Sequence, residues 1–449
     1  MRPVIVLLFH APPPPDAGPL THVLAAARAA LADAHRSGFL AAGADDVRII
    51  ADAGHRAFGA RLRSAAADLP VGAGAVILGS GSLPLAAAAD RRLLVAAAAG
   101  DEGTALANNR YSGDAVALPD ARRVLAAVPD LPGDNALPRW LVERRGLRVA
   151  DLRRRLHLQA DLDGPADLVL LARSRLLPAG VRAVVAAEGA WAQPLRDRIA
   201  AVEVVARDPR AELIVTGRVS AAGLAHLERA TACRVRAIVE ERGLRAASSL
   251  AQGPSPAWAG APTGGPAPTG GPAATGGPAP TGGPAPTMTR DADPLPDRGA
   301  AQAAGVSPPT PPTRAARPPA SVLRIALDAT GPAGLGALLA RLGDAAIVDS
   351  RVLLAHVVGA DERLWPLLED RLASDLLLPN RIADPWLRAL TESAVAAPIP
   401  VLLGGHSLVG PGLRLLFPSR DGRASEASGS PATTRTRASA QSRRDGRTA

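Results

Sequence analysis

The stretch HLQADLDGPADLVLLA, residues 157–172, decides how the chain is read. Asp161 and Asp163 stand one residue apart, followed by Gly164, Pro165 and an apolar run. Near the end of a strand alternate residues share a face, so the two carboxylates can point the same way. Magnesium takes oxygen ligands and keeps several waters, so one or two carboxylates completed by substrate phosphates suffice to hold it. The same two residues also fit a solvated loop acid and a helix N-cap, a common use of aspartate. Pro165 suits the first position of a helix, and Asp167 in the first turn favours the positive end of its dipole.

Outward from this stretch the chain alternates between short apolar runs and longer Ala-rich segments. VIVLLF (4–9), VRII (47–50), AVIL (75–78) and AVAL (115–118) read as strands, and PLTHVLAAARAALADAHRSGFLAAGA (19–44) as a helix. Such alternation predicts a mainly parallel, three-layer α/β sheet. It resumes at VRAVVAA (181–187), ELIVTG (212–217) and VRAIVEE (235–241), then at LRIAL (323–327), AAIVD (345–349), VLLAH (352–356) and IPVLLGG (399–405), all read as strands. Between these lie four near-copies of a hexapeptide, APTGGP-APTGGP-AATGGP-APTGGP, from Ala261 to Pro284. They offer no large apolar side chain to fill a coil, so a flexible linker is expected rather than a β-helix. The expected organisation is a first domain at 1–175, a second, smaller α/β domain assembled from 176–252 and 321–417, a disordered linker at 253–320 splitting it, and a disordered basic tail at 418–449.

At 449 residues, two folded units are the default. Aromatics are 2% of the chain, leaving few platforms for stacked bases, and all 51 basic side chains are arginine. From Arg420 onward seven arginines stand against three acids, so +4 of the net charge of +9 falls in the tail. No specific nucleic-acid partner is expected from the mildly basic remainder. The single cysteine, Cys233, excludes an intrachain disulfide and a cysteine-cluster metal site. The first apolar run is six residues long and ends in prolines, which suits a buried strand and not a leader, and no run has the length of a membrane span. A cytoplasmic protein with no membrane partner is the expectation.

Residues 134–171, DNALPRWLVERRGLRVADLRRRLHLQADLDGPADLVLL, give a helix, a short strand, an irregular stretch and an Asp-x-Asp-x-Pro-x-Asp-Leu motif. This order resembles the closing part of the MobA-like nucleotidyltransferases, especially the 2-phospholactate guanylyltransferase type, which have a GT-A-like fold. AVILGSGSLPLAAAADRRLLVAA (75–97) resembles that family's central strand, Asp-x-Pro-Leu loop and following helix, and ALANNRYSGDAVAL (105–118) the next substrate-binding loop and strand. The resemblance covers about the first 175 residues. It implies binding of a nucleoside triphosphate with Mg2+ and transfer of a nucleotidyl group to a small phosphorylated or carboxylated acceptor. Asp161 and Asp163 would be the metal ligands. Gly79, Ser80, Gly81 and Ser82, with Asn108, Asn109, Arg110, Ser112 and Asp114, would surround nucleotide or acceptor.

Three features depart from that pattern. Ser82 stands where the family carries an aspartate, the first loop reads HAPPPPDAGPL instead of a glycine-rich, basic one, and there is no lysine to meet a triphosphate. Four prolines remove the N–H groups a phosphate nest needs. Arg110 and Arg139 are the candidate replacements by charge. These departures favour the alternative of a catalytically degenerate nucleotide- or metabolite-binding regulatory protein on the same fold. Asp134 and Asn135 read as a helix N-cap, with substrate contact the alternative. In the second domain LIVTGRVSAAGL (213–224) and VLLGGHSLVGPGL (401–413) each join an apolar strand through glycine to a small polar residue. Ser220, His406 and Ser407, with Glu240, Glu241 and Asp349 at strand ends, are candidates for a second pocket, against turn glycines and solvated acids.

Overall fold

The computed structural model describes residues 2–51, 56–131, 133–187, 189–240, 321–358 and 365–418. The expected linker and, Pro418 apart, the expected tail lie outside the described residues, as does Glu241.

The first sheet runs through β1 (Val4–His10), α1 (Pro19–Ala41), β2 (Asp46–Ala51), α2 (Phe58–Ala67), β3 (Gly74–Gly79), α3 (Ala88–Ala98), β4 (Thr104–Ala107), β5 (Ala115–Leu118), α4 (Ala121–Leu125), α5 (Leu137–Arg145) and β6 (Arg148–Asp151). Its strand order is β2-β1-β3-β5-β4-β6. All neighbours are parallel except at β5, which runs against both β3 and β4. β1 shows why the sheet has three layers. Val4, Val6 and Leu8 point into a core shared with Phe39 of α1 and Leu94 of α3, while Ile5, Leu7 and Phe9 meet Leu62 of α2, Leu125 of α4 and Leu141 of α5. A central strand covered on both faces is apolar along its length, as VIVLLF is.

The second sheet follows α6 (Pro165–Leu171), α7 (Ala179–Ala187) and α8 (Gln193–Val205). It comprises β7 (Glu212–Gly217), α9 (Ala221–Ala230) and β8 (Arg234–Val239), then α10 (Val322–Ala326), α11 (Leu335–Ala340), β9 (Ala345–Asp349), α12 (Ser350–Val358), α13 (Leu368–Asp375), α14 (Pro385–Val395), β10 (Val401–Gly404), α15 (His406–Val409) and α16 (Gly412–Leu416). Its order is β10-β9-β7-β8, all parallel. The fold is therefore α/β with mainly parallel sheets, as the alternation predicts.

Three expected strands are helices: 181–187 falls in α7, 323–327 overlaps α10 and 352–356 lies in α12. Their apolar residues recur at helical spacing, with Val181 and Val185 the buried pair of α7. A short apolar run alone does not separate a strand from a buried helix.

Both sheets belong to one compact unit, joined where α1 packs into the core of the second sheet. The face of α1 formed by Leu20, Val23, Leu24, Ala27 and Leu31 packs into the same cluster as Leu372, Leu376 and Leu403. Gly18 begins α1 with no side chain to cap it, and Glu369 of α13 does so instead. The Leu20 and Thr21 N–H groups donate to its two carboxylate oxygens at 2.8 and 3.0 Å, and the Thr21 hydroxyl donates at 2.8 Å. Two otherwise orphaned helix donors are thus satisfied, with the carboxylate at the positive end of the dipole.

The parallel winding changes direction between β1 and β3 in the first sheet and between β7 and β9 in the second. Ligands of open α/β sheets bind beyond the carboxyl ends of strands at such points. Here both points open on the same cleft.

Candidate functional site

The cleft has a volume of about 680 Å³. Gly79, Ser80, Gly81 and Ser82 form its floor where β3 ends, and Asp161 lies beside them. Ser82 and Asp161 form an isolated antiparallel bridge, and the Leu162 N–H donates to the Gly81 carbonyl at 2.9 Å. Gly81 permits this approach. A Cβ there would stand 2.8 Å from the Leu162 carbonyl oxygen and 3.1 Å from Arg28 Nε. The next loop residue, Leu83, is fully buried with φ of 52°, a left-handed conformation that a bulky residue seldom adopts. Backbone strain of this kind collects at ligand sites.

The loop is held from behind by His35 of α1, whose Nε2 donates to the Ser82 carbonyl at 2.8 Å. Its Nδ1 is buried with no hydrogen-bond partner among the described residues. Burial, and after it the neighbouring Arg91, brings the His35 pKa down from 6.5 to about 4 against the Ser82 hydrogen bond. The unfolded chain therefore binds the extra proton between pH 6.5 and 4. His35 contributes its full stability above pH 6.5 and loses up to about 3 kcal/mol of it by pH 4. The stability advantage of wild type over His35→Gln is expected to shrink across this window, measured by urea unfolding at stepped pH. A constant difference would show that His35 does not titrate there.

The capping of α6 falls to Asp167. Its carboxylate, at the third position of α6, accepts the N–H groups of Asp163 and Gly164, both at 2.8 Å. Asp167 is the cap, and the carboxylates of Asp161 and Asp163 are left to face the cleft. Asp161 Oδ1 also accepts its neighbour Leu162 N–H at 3.0 Å, and Asp163 stands 3.5 Å from Arg28 Nη2 with its side chain 70% exposed. Asp114 and Asp134 line the same wall. Burial first, then Asp163 and Asp114, raises the Asp161 pKa well above the ordinary carboxylate range, with Arg28 opposing. Burial, then Asp134, brings Asp114 up to about 7, against its hydrogen bond from Asn108. A wall of mutually repelling carboxylates favours a cation.

Among the described residues no group of three or more His, Cys, Asp or Glu side chains is placed to hold a metal ion. The carboxylates of Asp161 and Asp163 are of the type that Mg2+ takes when a ligand's phosphates complete its shell, which asks less of the protein than a full cage.

Asn109, Ser112 and Asp114 line the cleft; Asn108 and Arg110 do not. Asn108 supports the site from below. Its Nδ2 donates to Asp114 Oδ2 at 3.0 Å and to the Leu158 carbonyl at 3.1 Å, while its Oδ1 accepts the N–H groups of Asp114 and Ala115. That fills the hydrogen-bonding capacity of the amide. Arg110 lies over the Tyr111 ring, 4.8 Å from its centroid, and Arg139 stands 3.5 Å from Glu143. Neither of these two arginines reaches the cleft lining. Asp134 and Asn135 open a 3₁₀ turn with Gly133 at its N-cap, and Asn135 Oδ1 accepts the Ser112 hydroxyl at 2.8 Å.

From the second sheet, His406 and Ser407 line the cleft, and the Ser407 hydroxyl reaches the Asp161 carbonyl at 3.4 Å. Ser220 instead caps α9, accepting the Gly223 N–H at 3.0 Å, and Glu240 accepts the Val322 N–H at 2.7 Å. Asp349 is buried against Arg218. Ser220, Glu240 and Asp349 are outside the cleft lining, so the strand-end candidates do not gather into a second pocket.

The sequence reading does not pick out five cleft arginines: Arg28, Arg61, Arg218, Arg351 and Arg371. Arg218 and Arg351 each stand one or two residues past the last residue of an apolar strand. Listing the first cation after each strand would have found both. Arg371 sits inside α13, where nothing in the local sequence marks it.

No family model and no curated protein matches the chain.

Proposed function

We propose that the chain is a nucleotidyltransferase-like protein that binds a nucleoside triphosphate with Mg2+ and transfers the nucleotidyl group to a small phosphorylated or carboxylated acceptor. The observation that carries this reading is the Ser82–Asp161 bridge. It brings the loop after β3 and the Asp161/Asp163 pair, 79 residues apart in sequence at the bridge, into one cleft at the carboxyl end of the sheet. In the reaction an acceptor oxygen forms a bond to the α-phosphorus, the α–β phosphoanhydride bond breaks, and pyrophosphate leaves. An acceptor that attacks through a phosphate or carboxylate oxygen is already an anion, so the site needs no general base. Positioning and charge neutralisation then supply most of the catalysis. Asp161 and Asp163 are the residues that would hold Mg2+, which supplies positive charge to the transferring and leaving phosphates.

A second reading is favoured by Ser82, which is 3% exposed and places no carboxylate on the floor. On that reading the cleft binds a nucleotide or metabolite without turnover.

The two are separated by incubating the protein with Mg2+, each common nucleoside triphosphate and a panel of phosphorylated and carboxylated acceptors, then measuring pyrophosphate. Acceptor-dependent release with at least one nucleotide is expected. Tight nucleotide binding without release would support the regulatory reading, and absence of both would remove the two together.

A further inference from the structure

A triphosphate carries up to four negative charges, yet the chain has no lysine and its first loop is blocked by prolines. Other residues of the cleft lining supply the positive charge that loop lacks. We propose that Arg218, Arg351 and Arg371, all from the part of the chain that builds the second sheet, hold the polyphosphate of the nucleotide; the identity of that ligand rests on the reading above.

Two of the three are held rigidly by carboxylates. Asp349, 1% exposed, accepts Arg218 Nε at 2.6 Å and Nη2 at 3.0 Å. Asp375, 5% exposed, accepts Arg351 Nη2. A guanidinium has five N–H donors in a fixed fork, so a carboxylate on one edge fixes the plane of the group. Arg351 Nη1 is buried and has no hydrogen-bond partner among the described residues. Leaving such a donor unmet costs stability, a cost that a bound anion offsets. Buried ion pairs contribute little to stability by themselves, which further suits pairs retained to fix arginines in place.

Geometry limits where the anion sits. Arg351 lines both the cleft and a small cavity of about 40 Å³ that also touches Asp163, Asp167, Asp375 and Gly404–Leu408, so the space for the anion is the cleft side of the guanidinium. Ser407, on the same wall, contacts the Asp161 carbonyl. The arginines and the carboxylate pair therefore border a common space, the arrangement that Mg2+-bound polyphosphate requires. The second sheet is then part of the nucleotide site and not an appended module.

The test uses the full chain and inorganic tripolyphosphate without Mg2+, so that neither base, acceptor nor metal enters. Calorimetry should show binding to wild type, and tripolyphosphate should raise its melting temperature. Arg371→Gln, and the paired variant Arg351→Gln/Asp375→Asn that leaves no lone buried charge, should each bind at least ~10-fold more weakly, as expected for loss of a charge-assisted hydrogen bond. Absence of binding and of thermal shift in wild type overturns the proposal even if the variants fail to fold. Unchanged affinity in folded arginine variants also overturns it. Tripolyphosphate binding that depends on these arginines, without nucleotidyl transfer to any acceptor, would sink the transfer reading and leave the arginine wall standing.

Discussion

Replacing Asp161 and Asp163 together by asparagine is expected to lower nucleotidyl transfer by on the order of 10³-fold while raising the melting temperature of the metal-free protein. The loss follows from the chemistry proposed. Removing a single preorganised electrostatic partner from a transition state typically costs about 10²–10³ in rate, and here both metal ligands go. The gain follows from the wall itself. Asp161 is pushed well above the ordinary carboxylate range by burial, Asp163 and Asp114. A carboxyl with a higher pKa folded than unfolded contributes stability at low pH and loses it as pH rises through that range, so at neutral pH its ionisation opposes folding. Asparagine keeps the shape and removes the charge. Mg2+ should add to the stabilisation that nucleotide alone gives wild type and add nothing in the variant. A variant that melts lower than wild type without metal, or that keeps its transfer rate, would contradict the assignment.

Gly217→Ala is expected to destabilise the chain by about 3 kcal/mol or more, read from urea denaturation. Gly217 ends β7 at φ of 110°, and a Cβ there would lie 2.2 Å from Asp349 Cβ and 3.0 Å from its Cγ. Overpacking of a rigid neighbour costs typically 1–3 kcal/mol, and the positive φ adds about 1–2. Asp349 cannot retreat without releasing Arg218, so the same change should weaken tripolyphosphate binding in whatever fraction still folds. A cost below about 1 kcal/mol would mean that β7 and β9 separate easily at their carboxyl ends.

The strands of the first sheet were legible because a doubly covered strand has to be apolar along its length, and VIVLLF, AVIL and AVAL are. β4, four residues of Thr-Ala-Leu-Ala, has too little side chain to stand out from helix-forming alanine. α12 was hidden for another reason: it begins at Ser350, directly after β9 ends at Asp349, with no turn residue between. At the site, Asp161 and Asp163 were visible because two residues apart in sequence they already sit together. The role of Asp167 as cap was half visible, since its helix position was expected but its acceptance of the Asp163 N–H was not. Arg218, Arg351 and Arg371 come from three elements spread over 153 positions. Only the sheet order and the packing of α13 bring them to one wall, and neither leaves a mark in a local window.

The Glu369 clasp on α1 sets a schedule for making the protein. The first turn of α1 emerges during synthesis 349 residues before the carboxylate that satisfies its Leu20 N–H. At ordinary elongation rates that interval is on the order of tens of seconds. For that time the apolar face from Leu20 to Leu31 waits for its partners from α13, so the nascent first half is the form most exposed to self-association and most in need of a chaperone.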